Sequence, residues 1–291
     1  MTPRSLLFVP ADSERKLARS VASAADVLIL DLEDAVAESR KPVARTMAAE
    51  FITAQAASLR PRLYVRINPL DTPLAMPDLA AAVVPGLAGI LLPKMRSVAD
   101  LVQLGHGLDA LEARAGLAPG SVKIIPVATE TPQAMLSMGG FAGAVLPRLA
   151  GITWGAEDLS AAIGAVANKD EDGTYSPLYE WAASLCLAAA GAAGVAPIDT
   201  VHTDFRDADG LVRACRASRR RGFRGRIAIH PDQVDAINAA YSPSAAELAH
   251  ARRIVEAFDA QPDAGTLQID GVMVDKPHLT QARRTLAAAQ E

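Results

Sequence analysis

The stretch Asp26–Glu33, DVLILDLE, decides the fold. Valine, leucine and isoleucine fill every position from Val27 to Leu30, as in a strand covered on both faces. Side chains alternate along a strand, so Val27, Ile29, Asp31 and Glu33 share one face and Leu28, Leu30 and Leu32 the other. The leucine row suits contact with helices. The other row starts apolar and ends in two acids at the C-terminal end of the strand.

Working outward, runs of this kind recur at Ser5–Pro10, Arg62–Asn68, Gly89–Lys94, Lys123–Glu130, Ile152–Asp158, Ala196–Phe205 and Arg226–Pro231. Between them, helices are predicted over Ser13–Ala25, Arg40–Ala57, Pro77–Val84, Val98–Ala115, Gln133–Leu149 (broken at Gly139–Gly140), Leu178–Ala193, Gly210–Arg221 and Pro231–Tyr241. Strands and helices alternating through short connections predict a parallel sheet. Eight such units predict an α/β fold closed into a (β/α)8 TIM barrel. The count depends on Ala196–Phe205; without it, an open α/β sheet competes. Gly222, after Arg219, Arg220 and Arg221, reads as a helix stop with cations at the negative end of the dipole. The barrel is expected over 1–241. Residues 242–291 form a C-terminal extension: a helix at Ala245–Ala260, the stretch IDGVMVDKPH (Ile269–His278) and a last helix from about Leu279. Such an appendage packs on the barrel, acts as a lid over its mouth, or reaches a neighbouring subunit.

Half the residues are hydrophobic, enough for a large core. The net charge of −4, from 29 basic and 33 acidic side chains, argues against a dedicated nucleic-acid binder. It does not exclude small anions, because one arginine or one metal ion outweighs a weak global charge. The Arg-rich stretch Arg213–Arg226 reads as a solvated barrel helix leading into the last strand. Cys186 and Cys215 fall in predicted helices without metal-ligand spacing and read as reduced thiols. The first apolar run is too short for a signal peptide, and Trp181–Val195, rich in alanine, reads as a buried helix. A cytoplasmic protein with no membrane partner is the expectation.

Strand parity selects the chemistry. Tyr64, Arg66 and Asn68 align; so do Ile90, Leu92 and Lys94; Ile124, Pro126, Ala128 and Glu130; and Ile152, Trp154, Ala156 and Asp158. Each row ends in a polar or ionisable residue at the rim where barrel enzymes build their sites. The candidates are Asp31, Glu33, Arg66, Asn68, Lys94, Glu130 and Asp158, with Asp199 and His230 behind them. Taken singly, each has a plain structural reading. Strand ends meet solvent, Asp31 suits a loop-backbone contact, Asp34 a cap, Lys94 an ion pair with an acid such as Glu33, and His230 a loop anchor. Glu157, out of phase with Asp158, reads as structural. Together they say more. Glu130 and Asp158 suit a magnesium ion, which takes few protein carboxylates and keeps positions for water and substrate oxygens. Zinc is a poor fit, with few histidines near the rim and no cysteine cluster. Arg66 offers a planar fork to a substrate carboxylate. A cation plus an arginine describes a site for a 2-oxo acid, and the cation also stabilises the enolate that carbon–carbon cleavage beside a carbonyl requires. A Schiff base at Lys94 is disfavoured by ion pairing. GxGxxG, GxxxxGK[ST] and GxSxG are all absent.

Eight segments in order, RSLLFVPADSERKL, LILDLEDAV, VRIN, LLPK, ATETPQA, WGAEDLSAAIG, IAIHPDQVDAIN and IDGVMVDKPH, resemble the citrate lyase β-subunit-like proteins of the HpcH/HpaI aldolase superfamily. That superfamily includes malyl-CoA, citramalyl-CoA and citryl-CoA lyase relatives. The resemblance spans Arg4 to about His278. It implies an Mg2+-dependent barrel that cleaves or forms a 3-hydroxyacyl-CoA thioester, with acetyl-CoA and a 2-oxo acid (oxaloacetate, glyoxylate or pyruvate) as products. By motif it implies Glu130 and Asp158 as metal ligands, Arg66 as the carboxylate binder and Glu33, with Asp34 beside it, as an active-site acid near the metal. Asp275 becomes the acid/base serving a neighbouring subunit. Arg4, Phe8 and Lys16 lie in the segment associated with the CoA portion, and Lys94 joins the substrate-binding set. A homo-oligomer, a trimer or hexamer, is also implied. An extension bearing Asp275 favours a free-standing CoA-ester lyase over a citrate lyase β subunit acting only within a larger complex. A CoA-independent hydroxy-oxo-acid aldolase is the other alternative.

Overall fold

The computed structural model describes residues 2–55 and 59–290. Eight parallel strands form one sheet: β1 Ser5–Pro10, β2 Val27–Asp31, β3 Arg62–Arg66, β4 Leu87–Leu92, β5 Lys123–Pro126, β6 Gly151–Thr153, β7 Ala196–Asp199 and β8 Gly225–Ala228. The sheet runs β5-β4-β3-β2-β1-β8-β7-β6. Its two ends meet through parallel bridges at Ile124–Leu149 and Val127–Thr153, with Ala128 N donating to Thr153 O at 2.8 Å. This is the (β/α)8 barrel. Around it lie α1 Glu14–Ser20, α2 Lys41–Gln55, α3 Ala75–Ala82, α4 Val98–Ala115, α5 Pro132–Ser137, α6 Glu157–Ile163, α7 Pro177–Ala193, α8 Ala208–Arg221 and α9 Val234–Tyr241. The last two residues of the predicted Arg40–Ala57 helix fall outside the described residues.

Two apolar shells hold the barrel. Inside, Leu6, Val27, Ile29, Tyr64, Leu91, Ile125, Val127, Ile198 and Ile227 form one buried cluster. Outside, Leu28, Leu30, Leu32, Val65, Ile67, Ile90, Leu92 and Ile152 pack against the helices. Each fully buried aliphatic side chain contributes about 1.5–3 kcal/mol of transfer free energy. One position shows how the interior is filled: a Cβ on Gly89 would lie 2.2 Å from Tyr64 Cε1, so only glycine lets the tyrosine ring cross in front of β4.

The predicted parity holds for β2 and β3 and is inverted in β4, β5 and β6, where Ile90, Leu92, Ile124 and Ile152 face the helices. The cause is physical. Both rows of those strands are apolar, so only the terminal ionisable residue suggested a phase. Lys94, Glu130 and Asp158 all lie beyond the last strand residue, where strict alternation has stopped. Two more expectations change. The Gln133–Leu149 helix reduces to α5 and a 3-10 turn over Met138–Ala142, in a stretch holding Gly139, Gly140 and Gly143. The Ile152–Asp158 run is a short strand followed by α6. Gly222 ends α8, its N–H donating to Arg219 O and Ser218 O.

After α9 the chain adds α10 Ala245–Ala260, an antiparallel pair β9 Thr266–Ile269 and β10 Val272–Asp275, and α11 Lys276–Gln290. The pair turns at Asp270 and Gly271, both with positive φ, the two-residue turn that matches strand twist. Ala251, Ile254, Phe258, Val274 and Ala282 make a separate small core here.

Candidate active site

The C-terminal ends of the strands open into a cavity of about 600 Å3. Register builds its floor. Asp31 and Arg66 are direct cross-strand partners, and both end their strands. Arg66 Nε and Nη2 donate to Asp31 Oδ1 and Oδ2 at 2.7 and 2.6 Å, a bidentate pair that fixes the guanidinium plane. The Phe8 ring lies under it, 4.5 Å from centroid to Cζ, and Nη1 is 2.9 Å from Glu33 Oε2. Asp31 also accepts from Glu33 N and Ala35 N, the loop-backbone contact its position suggested. Burial opposes the Arg66 charge, but Asp31 and the nearby glutamates outweigh it and hold it firmly protonated.

Behind this face, Lys41 Nζ donates to Leu32 O, Glu33 O and Asn68 Oδ1 at 2.8–3.0 Å. Asn68 Nδ2 in turn donates to Asp78 Oδ2, and Arg45 Nε to Asp78 Oδ1. Asn68, a rim candidate by parity, is therefore part of the scaffold that shapes the Glu33 turn.

Glu130 follows β5 by a tight turn and is buried. Its room is made by Gly155, where a Cβ would lie 2.8 Å from Glu130 Cγ. Lys94 N donates to Glu130 Oε2 at 2.6 Å. Asp158 sits in the first turn of α6, 30% exposed. Burial first, then repulsion from Asp158, raises the Glu130 carboxyl well above its ordinary value. Burial also lifts Glu33 up to about 7, against the opposing pull of Arg66 and Lys94. Such a pocket favours an added cation. Its donors are carboxylate oxygens, the chemistry of a hard ion. Among the described residues no group of three or more His, Cys, Asp or Glu side chains forms a metal-holding cluster. The acid pair is an open donor set, which suits an ion that keeps water and substrate oxygens.

The other candidates divide. Asp34 is exposed, 3.1 Å from Lys94 Nζ. Lys16 lines the cavity with Arg15 and Arg19, giving its mouth a basic edge. The spacing Arg15–Arg19, one helical turn, is a signal in the sequence that parity reasoning passed over. Arg4 is elsewhere: it precedes β1, at the opposite end of the barrel, with Nε and Nη2 on Asp26 and Nη1 on Ser242 Oγ. A CoA-binding role does not fit this placement, because its donors are used in tying the barrel bottom to the chain after α9. Asp199 does not line the cavity; it pairs with Arg226 and accepts from Trp154 Nε1 at 2.7 Å, anchoring a wall residue. His230 both lines the cavity and caps the turn Pro231–Gln233, with Phe205 stacked on it at 4.8 Å. Glu157 lines the cavity and accepts from Asn168 Nδ2. Asp275 is not among the residues lining this cavity. It ends β10, in the extension, with Oδ1 2.5 Å from His278 Nδ1.

The fold and site together define a barrel that gathers carboxylates and basic side chains, Arg66 at the floor and Arg15, Lys16 and Arg19 at the mouth, around one cavity. The chain belongs to the HpcH/HpaI aldolase/citrate lyase family, whose model matches residues 4–231. It is 36% identical over 291 residues to a (3S)-malyl-CoA thioesterase of Cereibacter sphaeroides, covering 99% of this chain and 94% of that protein. It is 36% identical over 286 residues to a citrate lyase subunit beta-like protein of Mycobacterium tuberculosis, covering 98% and 95%. Among solved structures, CitE from Mycobacterium tuberculosis in complex with magnesium, acetoacetate and coenzyme A superposes with a TM-score of 0.79 at 35% identity, covering 100% of this chain and 98% of that one. Among the described residues no helix is long and apolar enough to cross a membrane.

Proposed function

We propose that the protein is an Mg2+-dependent carbon–carbon lyase that reversibly cleaves a 3-hydroxyacyl-CoA thioester of malyl, citramalyl or citryl type. The observation that carries this reading is the convergence of Arg66, Glu130 and Asp158 on one cavity. Glu130 and Asp158 would hold the ion. When bound, Mg2+ supplies Lewis-acid stabilisation of the charge that develops on the substrate oxygens. Arg66, with its plane set by Asp31 and Phe8, binds the carboxylate of the 2-oxo-acid half. Glu33 lies against it as the active-site acid. The basic edge of Arg15, Lys16 and Arg19 faces the phosphates of the CoA half.

In cleavage the 3-hydroxyl loses its proton, the C2–C3 bond breaks and its electron pair passes to a thioester enolate. Protonation at C2 gives acetyl-CoA, and the other half leaves as the 2-oxo acid. Asp275, outside its own chain's cavity, is the acid/base for C2 in the site of a neighbouring copy, which makes a homo-oligomer the working form. Acid–base help of this kind is worth about 10²–10⁴-fold.

The malyl-CoA thioesterase named above supports a second reading, hydrolysis of the thioester. One experiment separates the two. Malyl-, citramalyl- and citryl-CoA are each incubated with Mg2+ or with EDTA, and free thiol and 2-oxo acid are assayed together. A lyase releases 2-oxo acid with no free thiol. A thioesterase releases thiol and the hydroxy acid. Neither product with any of the three sinks both readings.

A further inference from the structure

Lys94 is one of two non-glycine residues with positive φ among the described residues, at 48°. That conformation costs a residue bearing a Cβ about 1–2 kcal/mol and persists where the surroundings hold it. Two groups of the same residue do the holding. The backbone N–H donates to Glu130 Oε2 at 2.6 Å. The ammonium lies 2.5 Å from Glu33 Oε1, 3.1 Å from Asp34 Oδ2 and 3.1 Å from Asp158 Oδ1. A further tie, Thr131 Oγ1 donating to Met95 O, fastens the same turn to the chain beside Glu130.

Lys94 thus grips one acid of the metal pair through its amide and the other through its side chain. Three carboxylates surround this ammonium, while Asp31 already occupies two edges of the Arg66 guanidinium. Burial disfavours the Lys94 charge, yet Glu33, Asp158 and Glu130 more than offset it.

We propose that Lys94 is a positioning residue with a second role as the site's built-in counterion. Its amide fixes Glu130, and its ammonium occupies Asp158 until a divalent cation takes over the neutralising role there. The inference rests on the reading of Glu130 and Asp158 as the Mg2+ pair. Its consequence is competition: the lysine stabilises the metal-free site and weakens metal binding.

The test is isothermal titration of MgCl2 into wild type, Lys94→Gln and Lys94→Arg, with thermal melts in EDTA and in Mg2+. The neutral variant keeps the amide and loses the ammonium. Removing a partly exposed ion pair is expected to tighten the Mg2+ Kd by about twofold to fivefold. The Lys94→Gln melt should drop in EDTA and rise more than wild type on adding Mg2+, and Lys94→Arg should return the Kd towards wild type. A folded Lys94→Gln that binds Mg2+ equally or more weakly overturns the competition. A lysine that only supports the fold would lower both melts without tightening the Kd. Lys94→Met is a second neutral variant that reads the same way, and if neither folds in EDTA or Mg2+ the proposal fails. Wild type that gives no Mg2+ binding heat sinks the metal reading itself, a result distinct from Mg2+-binding wild type with an unimproved Lys94→Gln.

Discussion

Both ends of the barrel bury acids, and they treat them in opposite ways. At the N-terminal end, Glu112 accepts from Arg148 Nη1 and Nη2, each at 2.7 Å, and from the amides of Val122 and Gly120. These donors hold the carboxyl down to about 2 against the effect of burial. Asp26, beside Arg4, is likewise held below its ordinary value although burial opposes it. At the C-terminal end, Glu130 and Glu33 are raised. The bottom acids have every partner they need from the chain. The top acids repel one another and lack enough positive charge. A buried ionised group without full compensation is costly, so such a cluster suits the added cation of the proposed function.

Breaking the bottom network should cost the most. Glu112→Ala leaves Arg148 buried with its main partner gone, a loss of about 3–5 kcal/mol, measurable by urea unfolding. Turnover per folded molecule should not change. The pH dependence follows in sign. Because the folded value of Glu112 is depressed, its stabilisation is present above about 4.5 and is lost as pH falls towards about 2. Glu112→Gln should flatten that acid limb of the unfolding curve, and an unaltered limb would contradict the pairing.

The top should respond in the other direction. Glu130→Gln is expected to lower metal-dependent turnover by about 10²–10³-fold. Its melting temperature in EDTA should equal or exceed that of wild type, because burial and Asp158 already disfavour a charge at this position. A large fall in stability would put Glu130 in the same class as Glu112 and erase the contrast. Arg66→Lys keeps the charge and loses the fork. At about 1.5–3 kcal/mol for charge-assisted bonds, KM for the 2-oxo acid in the condensation direction should rise about tenfold to a hundredfold. A mainly kcat effect would argue against carboxylate binding.

The smallest structural effect belongs to Asp275. Asp275→Asn should leave the melting temperature and the Mg2+ Kd at wild-type values while turnover falls. Co-expression with Glu130→Gln should restore part of the activity, through mixed oligomers in which an intact cavity meets an intact Asp275. No recovery in verified mixed oligomers would place the acid/base elsewhere.

The sequence alone determined the eight βα units and put Arg66, Glu130 and Asp158 near the C-terminal ends of their strands, because hydrophobic runs and chain order depend on neighbours in sequence. Lys16 and Phe8 were reached through the family resemblance, and it is the folded chain that brings all five to one cavity. The inward phase of β4 to β6 was not legible there, because two apolar rows read alike from either side. Nor was the fate of Arg4, Asn68 and Asp199, three polar residues near strand ends that the folded chain spends on Asp26, Lys41 and Arg226. Only the tertiary structure chose which charges find a partner and which are left facing the cavity, because that choice depends on pairings across strands and turns that sequence spacing does not encode.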